Sequence, residues 1–130
     1  MDDPVVGRRV LVIDDSEFCR QFETMVLVQA GFDVRCASNA NEFDRLFESW
    51  NPELILADLQ MPDIDGATLC RSVRARYPTH HIPVVLFSSL PESELAEIAL
   101  QAGADAFLSK QTGYDELAVR LRALCEEIVW

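Results

Sequence analysis

The 130 residues include 22 acidic against 11 basic side chains, a formal charge of −11, and 49% of them are hydrophobic. That length suits one domain able to bury a core without disulfides or metals, and the apolar share excludes a disordered acidic tail. The negative charge argues against direct nucleic-acid binding and against an anionic membrane surface, because both reward cations. No run of 18 apolar residues is present to span a bilayer. Met1-Asp2-Asp3-Pro4 is acidic and leads into no long apolar core, which argues against a secretory signal. Cys19, Cys36, Cys70 and Cys125 lie far apart in apolar-periodic segments, as reduced packing thiols do. The expectation is a cytoplasmic domain.

Apolar runs of about five residues alternate along the chain with amphipathic stretches of about a dozen. Arg9 to Ile13 is β-branched and nearly all apolar, the pattern of a strand covered on both faces. A helical period follows, with Phe18, Phe22, Met25 and Val26 expected on its apolar face and Gly31 just past its end. Phe32 to Ala37 reads as a second, less buried strand. Asn39 and Glu42 form a capping box for a helix carrying Phe43, Leu46, Phe47 and Trp50, which Pro52 stops. Leu54 to Ala57 is a third strand running directly into Asp58. Pro62 bars helix just after it, Gly66 marks the entry to a helix with Leu69, Cys70 and Val73, and Pro78 closes that segment. Pro83 to Phe87 is a fourth strand, followed by Ser88-Ser89. A helix from about Glu92 to Ala102 is capped by Gly103, Ala106 to Leu108 is a short fifth strand, and the last helix starts near Tyr114 and keeps its period through Ile128.

Five βα units with buried strands imply an α/β fold, an open parallel doubly wound sheet with helices on both faces. In such sheets ligands bind beyond the carboxyl ends of the strands. Those positions hold Asp14-Asp15-Ser16, Asp58, Ser88-Ser89 and Ser109-Lys110, so three carboxylates, hydroxyls and one ammonium are expected to converge. Carboxylates packed together repel, and one is forced to protonate unless a cation sits between them. With neither His nor Cys among these positions, a hard ion such as Mg²⁺ or Mn²⁺ suits them better than zinc. Asp14 or Asp15 alone also reads as a helix N-cap, an account that covers neither Asp58 nor Lys110. The turn after strand one has no glycine, which argues against a dinucleotide or phosphate loop.

Val-Leu-Val-Ile-Asp14-Asp15-Ser and Asp58-Leu-Gln-Met-Pro62-Asp-Ile-Asp65-Gly66 resemble the acidic pair and the D-x-x-M-P-x-x-D-G loop of the receiver domain of bacterial response regulators. The resemblance covers essentially the whole chain and implies a flavodoxin-like (βα)5 fold with strand order 2-1-3-4-5. It further implies a single receiver domain over residues 1–130, core about 8–128, with no output domain in this chain, either free-standing or a piece of a longer regulator. By the same resemblance Asp58 is the phosphoacceptor, taking a phosphoryl group from a histidine kinase or a histidine phosphotransfer protein. Asp14, Asp15, Asp58 and the backbone carbonyl of Gln60 would hold Mg²⁺ (or Mn²⁺), Lys110 would pair with the phosphoryl oxygens, and Ser88 and Phe107 would form the switch. Its output would be a changed surface on the fourth helix, fifth strand and fifth helix, read by a protein target or a second copy. Glu17, Phe18 and Gln21 on the first helix would face the kinase.

Two positions depart from the family pattern. Gln111 follows Lys110 where proline is common, so a trans peptide is expected, a non-proline cis bond costing about 3–4 kcal/mol. Phe107 replaces the commoner Tyr, leaving a steric ring switch. Other readings are a degenerate receiver used for protein binding, and a small phosphohydrolase with Asp58 as nucleophile. The second lacks a carboxylate at Gln60 to act as general acid. His80 and His81 read as solvated loop residues, and Arg71, Arg74 and Arg76 make a poor nucleic-acid footprint amid so many acids.

Overall fold

The computed structural model describes residues 3, 5–62, 64–76 and 81–127. Five strands, β1 (Arg9–Ile13), β2 (Asp33–Ala37), β3 (Leu54–Asp58), β4 (Val84–Ser88) and β5 (Ala106–Ser109), alternate with α1 (Glu17–Gln29), α2 (Ala40–Trp50), α3 (Gly66–Arg76), α4 (Glu92–Ala102) and α5 (Asp115–Glu127). All pairings are parallel and the order is β2-β1-β3-β4-β5, the flavodoxin-like arrangement expected. Tyr77, Pro78, His80, Ile128 and Trp130 lie outside the described residues.

Strand side chains alternate between the two faces, and each face has its own core. Leu11, Ile13, Ile55, Ala57, Val84 and Leu86 pack with Phe43 and Phe47 of α2, Leu69 and Val73 of α3, and Leu95 and Ala99 of α4. Val10, Val12, Leu54, Leu56, Phe87 and Leu108 pack with Leu27 of α1 and with Leu117 and Leu121 of α5. Strands apolar on both faces therefore have a helix layer to meet on each side, which is why their sequences do not alternate.

The expected caps form. Asn39 accepts from the Glu42 N–H at 2.9 Å, and Glu42 reaches back to the Ser38 N–H at 3.1 Å. Gly103 ends α4 at φ +77°, where a left-handed residue lets its N–H reach the carbonyls of Ala99 and Leu100. All four cysteines are free, and among the described residues no peptide bond is cis.

One expectation fails. Phe18, Phe22 and Met25 were expected on the buried face of α1, yet all three are exposed, and the buried residues are Glu23 and Leu27. At 3.6 residues per turn the two stripes are about 150° apart, nearly half a turn. Phe18, Phe22 and Tyr114 instead form a run of ring contacts along the outside of α1, with centroids 4.8 and 5.5 Å apart. Aromatic contacts at the surface satisfy an apolar period that a core face would also show. His81 is also not simply solvated, since its Nε2 lies 2.6 Å from Asp105 Oδ1. Asp105 further receives Arg74 and the Val84 N–H. Both partners come from distant sequence.

Candidate functional site

Parallel register brings the strand ends together. Ile13 is level with Ala57, and Asp58 with Phe87, so Asp14 emerges opposite Asp58 at the carboxyl edge. Residue parity then sorts the side chains. Asp14, Asp58 and Lys110 continue the alternation of Val12, Leu56 and Leu108 and fall on the α1/α5 face. Ser88 and Phe107 fall on the α3/α4 face, where Phe107 packs against the Leu86 cluster. Asp14, Asp58 and Lys110 thus lie on one side of the sheet edge and Ser88 and Phe107 on the other, while Asp15, beyond the strand, joins the acids by proximity.

Asp14 is fully buried. Its Oδ1 accepts from the Ser16 N–H at 3.0 Å, and its Oδ2 accepts from Lys110 Nζ at 2.9 Å. Arg20 donates to its backbone carbonyl at 2.7 Å. The N-cap of α1 is Ser16, which accepts from the Cys19 N–H, so neither Asp14 nor Asp15 serves as the cap. Asp58 Oδ1 accepts from the Gln60 N–H at 3.2 Å, and its Oδ2 is 3.8 Å from Lys110 Nζ. Oxygens of Asp14, Asp15 and Asp58 all come within 4.8 Å of one another. These hard oxygen donors fit a hard divalent cation and would suit a soft metal poorly.

Burial, opposed by Lys110 and reinforced by the Asp14 charge, pushes the Asp58 pKa up to about 6. Burial works against the Lys110 charge, but its hydrogen bond to Asp14 and the charges of Asp58 and Asp14 outweigh that and raise its pKa. Its ammonium also sits 5.5 Å over the Phe87 ring.

The loop after Asp58 is held by close backbone packing. The Gly66 N–H donates to the Leu59 carbonyl at 3.0 Å. A Cβ at Gly66 would stand 2.6 Å from the Asp58 carbonyl oxygen, so the glycine is demanded by approach rather than by φ. On the α3/α4 side of the edge the buried Ser88 hydroxyl accepts from the Leu90 N–H at 3.3 Å. Ser109 donates to the Leu90 carbonyl at 2.7 Å, and Gln111 ties the same loop through the Ser89 carbonyl.

One residue beside the site was not legible beforehand. Glu23 is 2% exposed, and its Oε1 has no hydrogen-bond partner among the described residues. Burial first, then the adjoining Asp14 charge, pushes its pKa up to about 9, with Lys110 opposing. An acid in an amphipathic helix ordinarily faces water, so only its phase relative to Leu27 carried the signal.

Residues 10–122 match the family described as response regulator receiver domain. The chain is 31% identical over 118 residues to the transcriptional regulatory protein GltR of Pseudomonas aeruginosa, covering 91% of this chain and 49% of GltR. It is 33% identical over 116 residues to the DNA-binding dual master transcriptional regulator RpaA of Synechocystis, covering 89% and 48%. It thus spans about half the length of these curated relatives. The Francisella response regulator 1452 receiver domain superposes with TM-score 0.81 at 30% identity, covering 92% of this chain and 98% of that one. Among the described residues no helix is long and apolar enough to cross a membrane.

Proposed function

This chain belongs to the response regulator receiver domain family, and on that premise we propose that it is a cytoplasmic phosphoacceptor module with Asp58 as acceptor. The observation that carries the proposal is the placement of Lys110 Nζ between Asp14 and Asp58, 2.9 and 3.8 Å from their Oδ2 atoms. An ionised Asp58 oxygen attacks the phosphorus of a phosphohistidine on a kinase or phosphotransfer protein. The P–N bond breaks and its electron pair stays on the imidazole nitrogen. Lys110 offsets charge on the phosphoryl oxygens, the main task in a reaction that is mostly positioning and electrostatics. With its pKa near 6, the acceptor is mostly ionised at neutral pH.

Asp14, Asp15, Asp58 and the Gln60 carbonyl would hold Mg²⁺ or Mn²⁺, which when bound supplies further charge neutralisation at the phosphoryl group. The Ser88 hydroxyl, leaving the Leu90 N–H, would donate to a phosphoryl oxygen, and the Phe107 ring would turn into the space released. Both side chains lie on the α4 side, so the change would be read on α4, β5 and α5, where Leu100 and Val119 are already exposed for a protein target or a second copy. Glu17, Phe18 and Gln21 stand exposed on α1 beside the acidic edge, where the phosphoryl donor would approach.

Intact mass after incubation with acetyl phosphate tests this. One phosphoryl adduct that requires both Mg²⁺ and Asp58, and is absent from Asp58→Asn, is expected. No adduct on the wild type under any cation would leave a binding-only receiver.

A further inference from the structure

Lys110 and Asp14 follow strands that do not touch. Lys110 comes after β5 and Asp14 after β1, with β4 and β3 between them in the sheet. To reach Asp14 Oδ2 at 2.9 Å and come within 3.8 Å of Asp58, the lysine side chain passes across the end of β4. The β4 residue on that face is Phe87, level with Asp58 on one side and with Leu108 on the other. The Lys110 ammonium lies 5.5 Å over its ring centroid, and the ring is fully buried.

An aliphatic residue would serve the core here, as Leu56 and Leu108 do on the neighbouring strands. It would offer nothing to a cation. The face of an aromatic ring carries partial negative charge and attracts an ammonium, most strongly where water is scarce, and the Lys110 side chain is 15% exposed. The ring is also held in place. Tyr114, just before α5, packs nearly perpendicular to it, at 81° with centroids 5.5 Å apart, an arrangement that aromatic pairs favour. Tyr114 in turn meets Phe22 of α1, so the ring under the ammonium is backed from both helices of that layer.

We propose that Phe87 is a positioning residue for phosphoryl transfer, its ring holding the Lys110 ammonium beside Asp58 against the pull of Asp14. The inference rests on the reading of Asp58 as the acceptor. A hydrogen bond to Asp14 by itself leaves the ammonium free to pivot about one oxygen, toward β1. A ring level with Asp58 gives it a second hold, on the acceptor's side. Phosphoryl transfer draws its rate from the placement of charge, so an ammonium displaced from the acceptor slows the reaction without loosening the fold.

The rate at which acetyl phosphate labels Asp58 in the presence of Mg²⁺ tests it, followed by intact mass, with thermal melting as the control for folding. Replacing Phe87 by phenylalanines that carry one, two or three ring fluorines keeps its shape and progressively strips charge from the ring face. Labelling is expected to slow stepwise with fluorination, on the order of fivefold for the trifluorinated ring, while the melting temperature stays near that of wild type. The singly fluorinated ring, nearly the same size as the native one, carries the test should the heavier rings fail to pack. Phe87→Leu removes the face altogether and is expected to label no faster than the trifluorinated protein. A folded fluorinated series that labels at the wild-type rate overturns the proposal. So does a loss confined to Phe87→Leu, which would mean that packing alone matters. A wild type that takes no adduct sinks the acceptor reading, and this inference with it.

Discussion

The Lys110 ammonium is 2.9 Å from Asp14 and 3.8 Å from Asp58, so it serves the strand-one acid first. Exposure explains the preference. The Asp14 side chain is 1% exposed and that of Asp58 10%, and the charge with less water has more need of a fixed partner. The acceptor is left weakly paired, its carboxylate backed by the Gln60 N–H and raised in pKa by burial.

Lys110→Met should therefore act on the fold as well as on phosphorylation. Removing one member of a buried pair strands the other, at a cost of about 3–5 kcal/mol. Urea unfolding should show a loss of that order, and acetyl phosphate should no longer label Asp58 efficiently. In the double variant with Asp14→Asn the two losses should fall short of additive. Full additivity would mean that the pair contributes nothing.

Glu23 should leave a mark on the pH dependence of stability. It keeps its proton in the fold to about pH 9, whereas the unfolded chain releases it near the ordinary value of 4.5. The folded state binds more protons between those values, so this contribution is complete below about pH 4.5 and is lost as pH rises toward 9. The slope is up to about 1.4 kcal/mol per pH unit. Asp58 acts with the same sign, but its window closes near pH 6. Cation-free urea titrations from about pH 6.5 to 8.5 should thus show wild type losing stability faster than Glu23→Gln. Parallel slopes would show Glu23 ionised like any surface acid.

Gly66→Ala should disturb the acceptor loop directly. The added Cβ meets the Asp58 carbonyl oxygen at 2.6 Å and Leu59 Cα at 3.0 Å, and backbone atoms cannot swing aside as a side chain can. A destabilisation of about 1–3 kcal/mol is expected, with slower labelling of Asp58 because the strand end that carries it must shift. A variant as stable and as fast as wild type would mean that α3 moves instead.

Much of this fold could be read from local pattern. Strands such as Val10-Leu11-Val12-Ile13 are too apolar for a one-sided sheet, Asn39 with Glu42 and Gly103 announce helix ends, and Asp58 directly follows its strand. The acids and Lys110 were legible as a set because a parallel sheet delivers every strand end to one edge. The buried face of α1 is not legible locally, because its aromatic period, Phe18 and Phe22, ends in a surface contact with Tyr114. His81 and Asp105 found each other across 24 residues, and no local spacing could announce that.

Composition, periodicity and the turn residues by themselves determined the order of elements and the chemistry at the strand ends, because those depend on neighbours along the chain. Tertiary structure alone decided which side of α1 is buried, that Glu23 goes inward with Leu27, that Lys110 favours Asp14 over Asp58, and that Ser88 and Phe107 share the face opposite Asp14 and Asp58. Those outcomes depend on which surfaces meet. A helix turns whichever side its neighbours accept toward them, and the layer formed by β1 and α5 accepted Glu23 with Leu27.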